Sequence, residues 1–280
     1  MTIRVVTDST CDIPEEMQAE YGITVIPAYV NIGNKSYLDG VDLSRADLYE
    51  GLPHFEDHPT TAAPGPGAFT EAYNHLARDG TTEILSIHIA SRLSGMLNTA
   101  RVGAEEASNV QVTLFDSEQL TMGLGLMAIA AAKAAIDGHS MQDIVAMLES
   151  RSKRTYVFGL LDTLEYLRRS GRVNWAIFGI GTLLRIKPLL KVHRADIEML
   201  DKVRTSKKAL NRFVELVSEY APFEDIALLH THSLDKLDSF RERVRFLIPE
   251  GQTAPAVELT PALGVHIGPG GLGIAFTVAD

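Results

Sequence analysis

Four polar loops hold the residues of this chain best suited to chemistry, each where an apolar run gives way to a turn or a helix. The first, Thr7-Asp8-Ser9-Thr10, offers hydroxyls and a carboxylate behind the run at residues 3–6, although these types equally favour an ordinary turn or helix start. The second runs from Thr60 to Gly67 and joins hydroxyls to Pro64, Gly65, Pro66 and Gly67. Such a rigid loop can present Thr61 to a ligand or serve as a plain connector. The third, Ser91-Arg92-Leu93-Ser94-Gly95, leads from a strand into a helix. Free N–H groups and the positive end of the helix dipole suit an anion there, while Ser94 or Ser91 would serve equally as a simple N-cap. The fourth spans residues 261–273 and carries His266 ahead of Gly268, Gly270 and Gly273.

Those glycines spell G-x-G-x-x-G, a dinucleotide signature only where it follows a strand, opens a helix and leads to an acid about 20 residues on. Here a strand-like segment follows instead, leaving a glycine-rich loop that lets the backbone approach a ligand closely. Asp8, Ser94 and His266 form a hydrolytic triad by residue type, but Ser94 lacks the G-x-S-x-G elbow. His230-x-His232 has a metal-like spacing without a carboxylate or cysteine partner beside it, which favours ordinary loop histidines. No Walker A loop is present. The residues alone point to an α/β protein with an anion-friendly cleft.

Composition narrows the classes further. The 280 residues are 45% hydrophobic and 22% charged, enough apolar material for one large or two ordinary domains. A formal net charge of −10 argues against broad nucleic-acid binding and against a polybasic lipid anchor. The single cysteine, Cys11, excludes an internal disulfide or a multi-cysteine metal site. No basic segment with an apolar core opens the sequence, and the most apolar stretch, residues 122–136, is shorter than a membrane span and interrupted by Lys133. A cytoplasmic location is the expectation.

The elements that must position the loops alternate between β-branched runs and helical segments. Strands are predicted at 3–6, 84–89 and 110–115, and a second extended run at 23–32 is broken by Pro27. Asp12 with Glu15 reads as a capping box, Ser44 caps a short helix, and helices follow at 95–107 and 122–137 before Gly138 stops the second. Ser140 with Asp143 starts another. Beyond residue 154 come a strand at 155–160, helices at 163–170 and 176–184, and paired strands at 186–192 and 197–203. A helix at 206–220 and strands at 226–229 and 274–278 complete the pattern. The change of texture places a boundary near residue 153, giving domains 1–153, mainly parallel, and 154–280, with a mixed sheet.

Taken as a set, the loops resemble the DegV family. The motifs are Thr7-Asp8-Ser9-Thr10-Cys11-Asp12-Ile13-Pro14, Thr61-Ala62-Ala63-Pro64-Gly65-Pro66-Gly67, Ser91-Arg92-Leu93-Ser94-Gly95-Met96 and Asp116-Ser117 with Gly123 and Gly125. Leu164-Glu165-Tyr166-Leu167 with Gly171-Arg172, Lys187-Pro188 and His266-x-Gly268-Pro269-Gly270 follow in family order, so the resemblance spans the chain. It implies two α/β domains with a long-chain fatty acid between them and no complete catalytic apparatus, cofactor or metal. A separate fatty acid kinase would phosphorylate the bound carboxylate, feeding phospholipid synthesis. By the same resemblance, Thr61, Ser94 and His266 surround the carboxylate, the Gly95 N–H adds a donor, and Arg172 stands near the head-group opening. A histidine that passes between neutral and cationic near pH 7 would suit the change from carboxylate to acyl phosphate. Three positions depart from the pattern: Ala62-Ala63 replace a Ser-Gln pair, and Met96 replaces a threonine. Segments 122–136 and 177–186 could line the acyl tunnel or simply pack the core. An ester hydrolase using Ser94 and His266, and a regulatory lipid sensor, are the competing readings.

Overall fold

The computed structural model describes residues 2–172 and 186–280. The helix expected at 176–184 and most of the tail-lining segment expected at 177–186 lie outside them.

The first sheet is wholly parallel, in the order β2 (Thr24–Ile26), β1 (Ile3–Asp8), β6 (Glu83–His88), β7 (Gln111–Asp116). Its crossovers include α1 (Glu15–Tyr21), α3 (Pro66–Arg78) and α4 (Met96–Glu106). Beside it lies an antiparallel trio, β4 (Lys35–Leu38), β3 (Tyr29–Ile32) and β5 (Thr60–Ala62), with α2 (Arg45–Gly51) capped by the Ser44 hydroxyl. Pro27 divides the extended run as expected: lacking an N–H it cannot continue a ladder, so β2 stays in one sheet and β3 enters another.

The second large sheet is mixed, in the order β10 (Asp196–Val203), β9 (Lys187–His193), β8 (Thr155–Leu160), β13 (Leu272–Val278), β11 (Phe223–His230), β12 (Ala256–Glu258). Only β11 and β12 run parallel among these neighbours. Side chains alternate across it, and each face has a different destination. Phe158, Leu228, Ile274 and Phe276 pack with Phe213 of α8 (Ser206–Ser218) and Phe240 of α9 (Leu234–Val244). Val157, Val192, Leu229 and Ala275 join the core of the first half of the chain instead.

Between the sheets runs α5 (Thr121–Ile136), followed by α6 (Met141–Ser152), which Ser140 caps through its bond from the Asp143 N–H. Eleven residues of α5 are buried, because the helix touches β1 on one side and β8, β11 and β13 on the other. An all-round apolar helix is the sequence consequence of burial on every face. That position decides between the two readings of 122–136: the segment is core, and of the neighbouring residues Leu120 and Thr121 reach the cavity described below. Two glycines permit the approach. A Cβ on Gly125 would stand 2.5 Å from the Cys11 carbonyl oxygen, and one on Gly123 would stand 2.7 Å from Val157 Cγ2.

Two further expectations change. Asp12 does not cap α1, whose N-cap is Pro14; Asp12 is a left-handed residue closing the short turn Ser9–Cys11, and its carboxylate points across to Thr260. The glycine-rich segment 261–273 is not all loop: Pro261–Ile267 forms α10, with proline in its first turn and His266 in its last. Helix α9, rich in charge, was not foreseen. The β9–β10 hairpin does form, turning through Arg194 and Ala195 at positive φ, and its tip docks on the other half. There the Ala195 N–H donates to the Glu118 carbonyl at 2.7 Å and Arg194 Nε to the Glu118 carboxylate at 2.9 Å.

Gly125→Val should cost about 3 kcal/mol, the upper end for overpacking, because the opposing atom is backbone rather than a movable side chain. Urea unfolding checks this, and an unchanged midpoint would mean that the turn carrying Asp12 can shift.

Candidate functional site

A cavity of about 570 Å³ lies between the first half of the chain and the open face of the mixed sheet. All five residues expected around a head-group line it: Thr61, Ser94, Gly95, Arg172 and His266. They come from four separate elements. Thr61 is central in β5, paired with Val30 of β3. Ser94 and Gly95 precede α4, where Gly95 is the N-cap and the Ser94 hydroxyl accepts from the Met96 N–H at 3.3 Å. Arg172 follows α7 (Glu165–Ser170), which ends at left-handed Gly171. His266 comes from α10, and Thr61 Oγ1 meets its Nε2 at 3.0 Å, joining residues 205 apart in sequence.

Among the described residues the imidazole is held at one nitrogen only, and Nδ1 of His266 is buried without a partner. Burial pushes its pKa down from 6.5 to about 4, with the charges of Arg172 and His58 acting in the same direction. The ring is therefore neutral at pH 7 when no anion stands beside it. A carboxylate in the cavity would reverse the trend, since opposite charge favours the imidazolium.

The rest of the lining is mostly apolar, with Ile89, Val157, Leu190, Val192, Leu229 and Leu263 among it. Its floor is a trough. Gly273 on β13 faces Gly159 on β8 across the antiparallel ladder, so two neighbouring positions carry no side chain. A Cβ on Gly159 would meet only Leu161 Cδ2 among the described residues, at an ordinary 3.6 Å, whereas one on Gly273 would press on the Phe158 carbonyl oxygen at 3.0 Å and Leu229 Cβ at 3.1 Å. Ala62 and Ala63, the departures from the family pattern, line the wall beside Thr61.

The hydrolytic arrangement does not assemble. Asp8 is fully buried and engaged with His88 Nδ1 at 2.9 Å and with the Ile89 N–H at 3.1 Å. His266 bonds Thr61 rather than Ser94, and no carboxylate orients its other nitrogen among the described residues. His230 is not a loop residue but the buried end of β11; with His232 it flanks Glu258, at 3.9 and 3.5 Å.

Two neighbours of the site, Tyr166 and His58, were given no role by the sequence. Tyr166 lies against Gly268, whose φ of +77° and lack of a Cβ are both needed, because a Cβ would fall 2.1 Å from the tyrosine ring. His58, with Nε2 buried and unpartnered, adds its charge effect to His266. Nothing in the spacing of these residues signals that they meet.

The DegV family model, described as uncharacterised protein of the DegV family, matches residues 2–279. The chain belongs to the DegV family. A DegV domain-containing protein of Listeria innocua is 33% identical over 99% of this chain and 98% of its own length. Among solved structures, a fatty-acid-binding DegV family protein from Thermus thermophilus superposes with a TM-score of 0.91 at 29% identity, over all of both chains. DegV of Bacillus subtilis, described as a fatty acid binding protein, gives 0.89 at 31% identity, again over all of both chains. The fold is thus shared over the full length of the chain.

The shift on His266 sets a pH dependence. Its folded pKa of about 4 lies below the unfolded 6.5, so the stability it contributes is present above pH 6.5 and is lost as pH falls through about 4. Ring NMR of delipidated protein should show a neutral His266 down to about pH 4, and a saturating carboxylate ligand should move the titration upward.

Proposed function

We propose that this DegV-family chain binds a long-chain fatty acid, with the carboxylate at Thr61, Ser94, the Gly95 N–H and His266 and the acyl chain along the Gly159–Gly273 trough. The observation that carries it is the union of a cluster of donors with a mostly apolar cavity of about 570 Å³, within the usual range for small-molecule pockets. Relatives described as fatty-acid-binding support the ligand class.

The physics divides between the two ends. A tail of roughly 14 methylenes at about 0.8 kcal/mol each contributes on the order of 11 kcal/mol before the costs of association. An ionised carboxylate needs donors to leave water, and hydrogen bonds to charge are worth about 1.5–3 kcal/mol each. The cavity supplies hydroxyls, a backbone N–H, an imidazole, and Arg172 at its rim. The proposal extends to two α/β domains, 1–153 and 154–280, that close on the ligand. It further holds that the chain is a carrier, in the cytoplasm, presenting the acid to a separate fatty acid kinase for conversion to acyl phosphate. The missing Ser94–His266 contact weighs against hydrolysis. Among the described residues no helix is long and apolar enough to cross a membrane.

Denaturing extraction followed by mass spectrometry should release a stoichiometric fatty acid from the purified protein. An empty protein that also fails to take up added fatty acids would refute the reading. Ser94→Ala should weaken fatty-acid affinity about 10-fold or more with little change in melting temperature, as expected for the loss of one charge-assisted bond. Gly159→Leu places a side chain in the trough and should shift the extracted population toward shorter chains.

A further inference from the structure

His266 reaches Thr61 from the other half of the chain, and α10, which carries it, is only seven residues long. A helix this short does not hold its own orientation, so its placement must come from contacts at its ends. At its N-terminus those contacts come from two carboxylates of the first half. The Thr260 N–H donates to Asp12 Oδ1 at 2.7 Å, while the Thr260 hydroxyl and the Ala262 N–H both donate to Asp39 Oδ1, at 2.7 and 3.0 Å. The approach to the helix is held as well. Arg45 Nε donates to the Glu258 carbonyl at 2.9 Å and the Tyr49 hydroxyl to the Leu259 carbonyl at 3.0 Å. Each carboxylate is anchored behind: Asp12 by the Thr121 hydroxyl at 2.6 Å, Asp39 by the Ser9 hydroxyl at 2.5 Å.

We propose that Asp12 and Asp39 are positioning residues for the head-group site, a two-carboxylate latch that caps α10 from the opposite half and so sets His266 against Thr61. The inference rests on the reading of the cavity as a carboxylate site. Side-chain capping within one chain segment is ordinary; here the cap and the helix belong to different halves, so the bonds form only when the halves close. Closing and aiming the imidazole are then one event.

The choice of carboxylates has a consequence. Both are buried, at 2% exposure each, where an uncharged cap would avoid the desolvation penalty. The charged and titratable groups around Asp12 are Cys11 beside it, Asp39 after β4, and Arg45 and Tyr49 of α2, with Asp8 acting on Cys11 and Glu258 of β12 on Tyr49. Arg45, at 3.8 Å, is the cation among them. Burial pushes Asp12 up to about 7, with Arg45 and the bonds from Thr121 and Thr260 opposing. In an open protein, where Asp12 meets water, the pKa returns toward 3.8. Closure therefore takes up a proton between those values, so the latch is tightest at low pH and loosens as pH rises through about 7.

The test uses full-length protein, delipidated and reloaded with palmitate, as wild type, Asp12→Asn, Asp39→Asn and Asp39→Ala. Two quantities are read: the palmitate dissociation rate at pH 6 and pH 8, and the NMR titration of the His266 ring before loading. Wild type should release palmitate several-fold faster at pH 8, and Asp12→Asn, which cannot ionise, should show a clearly smaller difference, the remainder coming from Asp39, which burial also raises, and from His266 beside its ligand. Asp39→Ala should release at least 10-fold faster at both pH values and move the His266 titration up toward 6.5, as water reaches the ring. Asp39→Asn keeps an acceptor oxygen for Thr260 and Ala262 and should restore the low titration. Variants that melt earlier yet leave His266 and the release rates unchanged would overturn the proposal, as would pH-independent release by wild type. If wild type takes up no palmitate, the fatty-acid reading fails, while the His266 titrations still decide whether the carboxylates position the ring.

Discussion

Much of this structure depends on hydrogen bonds from the backbone of residues 260–262 to Asp12 and Asp39. Those residues lie more than two hundred positions away in sequence, and each bond spans the seam between the parallel sheet and the mixed one. Buried acceptors cannot be left without donors at tolerable cost, so the seam has essentially one satisfactory register. With that register set, Thr61 and His266 meet at 3.0 Å and the loop before α4 closes the same end of the cavity.

The seam's second constraint is apolar. Helix α5 fills the space between the sheets, and its two glycines bring it close to the Ser9–Cys11 turn on one side and to β8 on the other. Where the helix begins, the fill stops. The trough of Gly159 and Gly273 continues the sheet surface without side chains, leaving room bounded by valines and leucines. One sheet face thus serves both as core and as the floor of the cavity, while the opposite face packs an ordinary aromatic core under α8 and α9.

Electrostatics at the two ends of α10 run in opposite directions. Desolvation raises the carboxylate Asp12 at the N-terminal end and lowers the imidazole His266 at the C-terminal end, so each is driven toward its neutral form. The neutral imidazole beside the Thr61 hydroxyl would become cationic only next to an anion, since opposite charge favours the imidazolium.

Much of the fold was legible in residue order alone. Pro27 had to split an extended run, Ser44 and Ser140 had to cap helices, and the alternation of strands and helices had to yield a parallel sheet followed by a mixed one, because these follow from local backbone chemistry and periodicity. The candidate head-group residues were legible through family-like motifs, and the structure gathers Thr61, Ser94, Gly95, Arg172 and His266 around one cavity. Tertiary structure alone decided the rest. Asp12 reads locally as a capping box because its spacing to Glu15 fits one, yet its φ of +53° turns the carboxylate to a helix it meets only after folding. Residues 122–136 read as tunnel or core alike, since apolarity does not say whether a neighbour is a lipid or a sheet. The protonation state of His266 is likewise absent from its sequence neighbourhood, because burial, Arg172 and His58 are brought to it by distant segments.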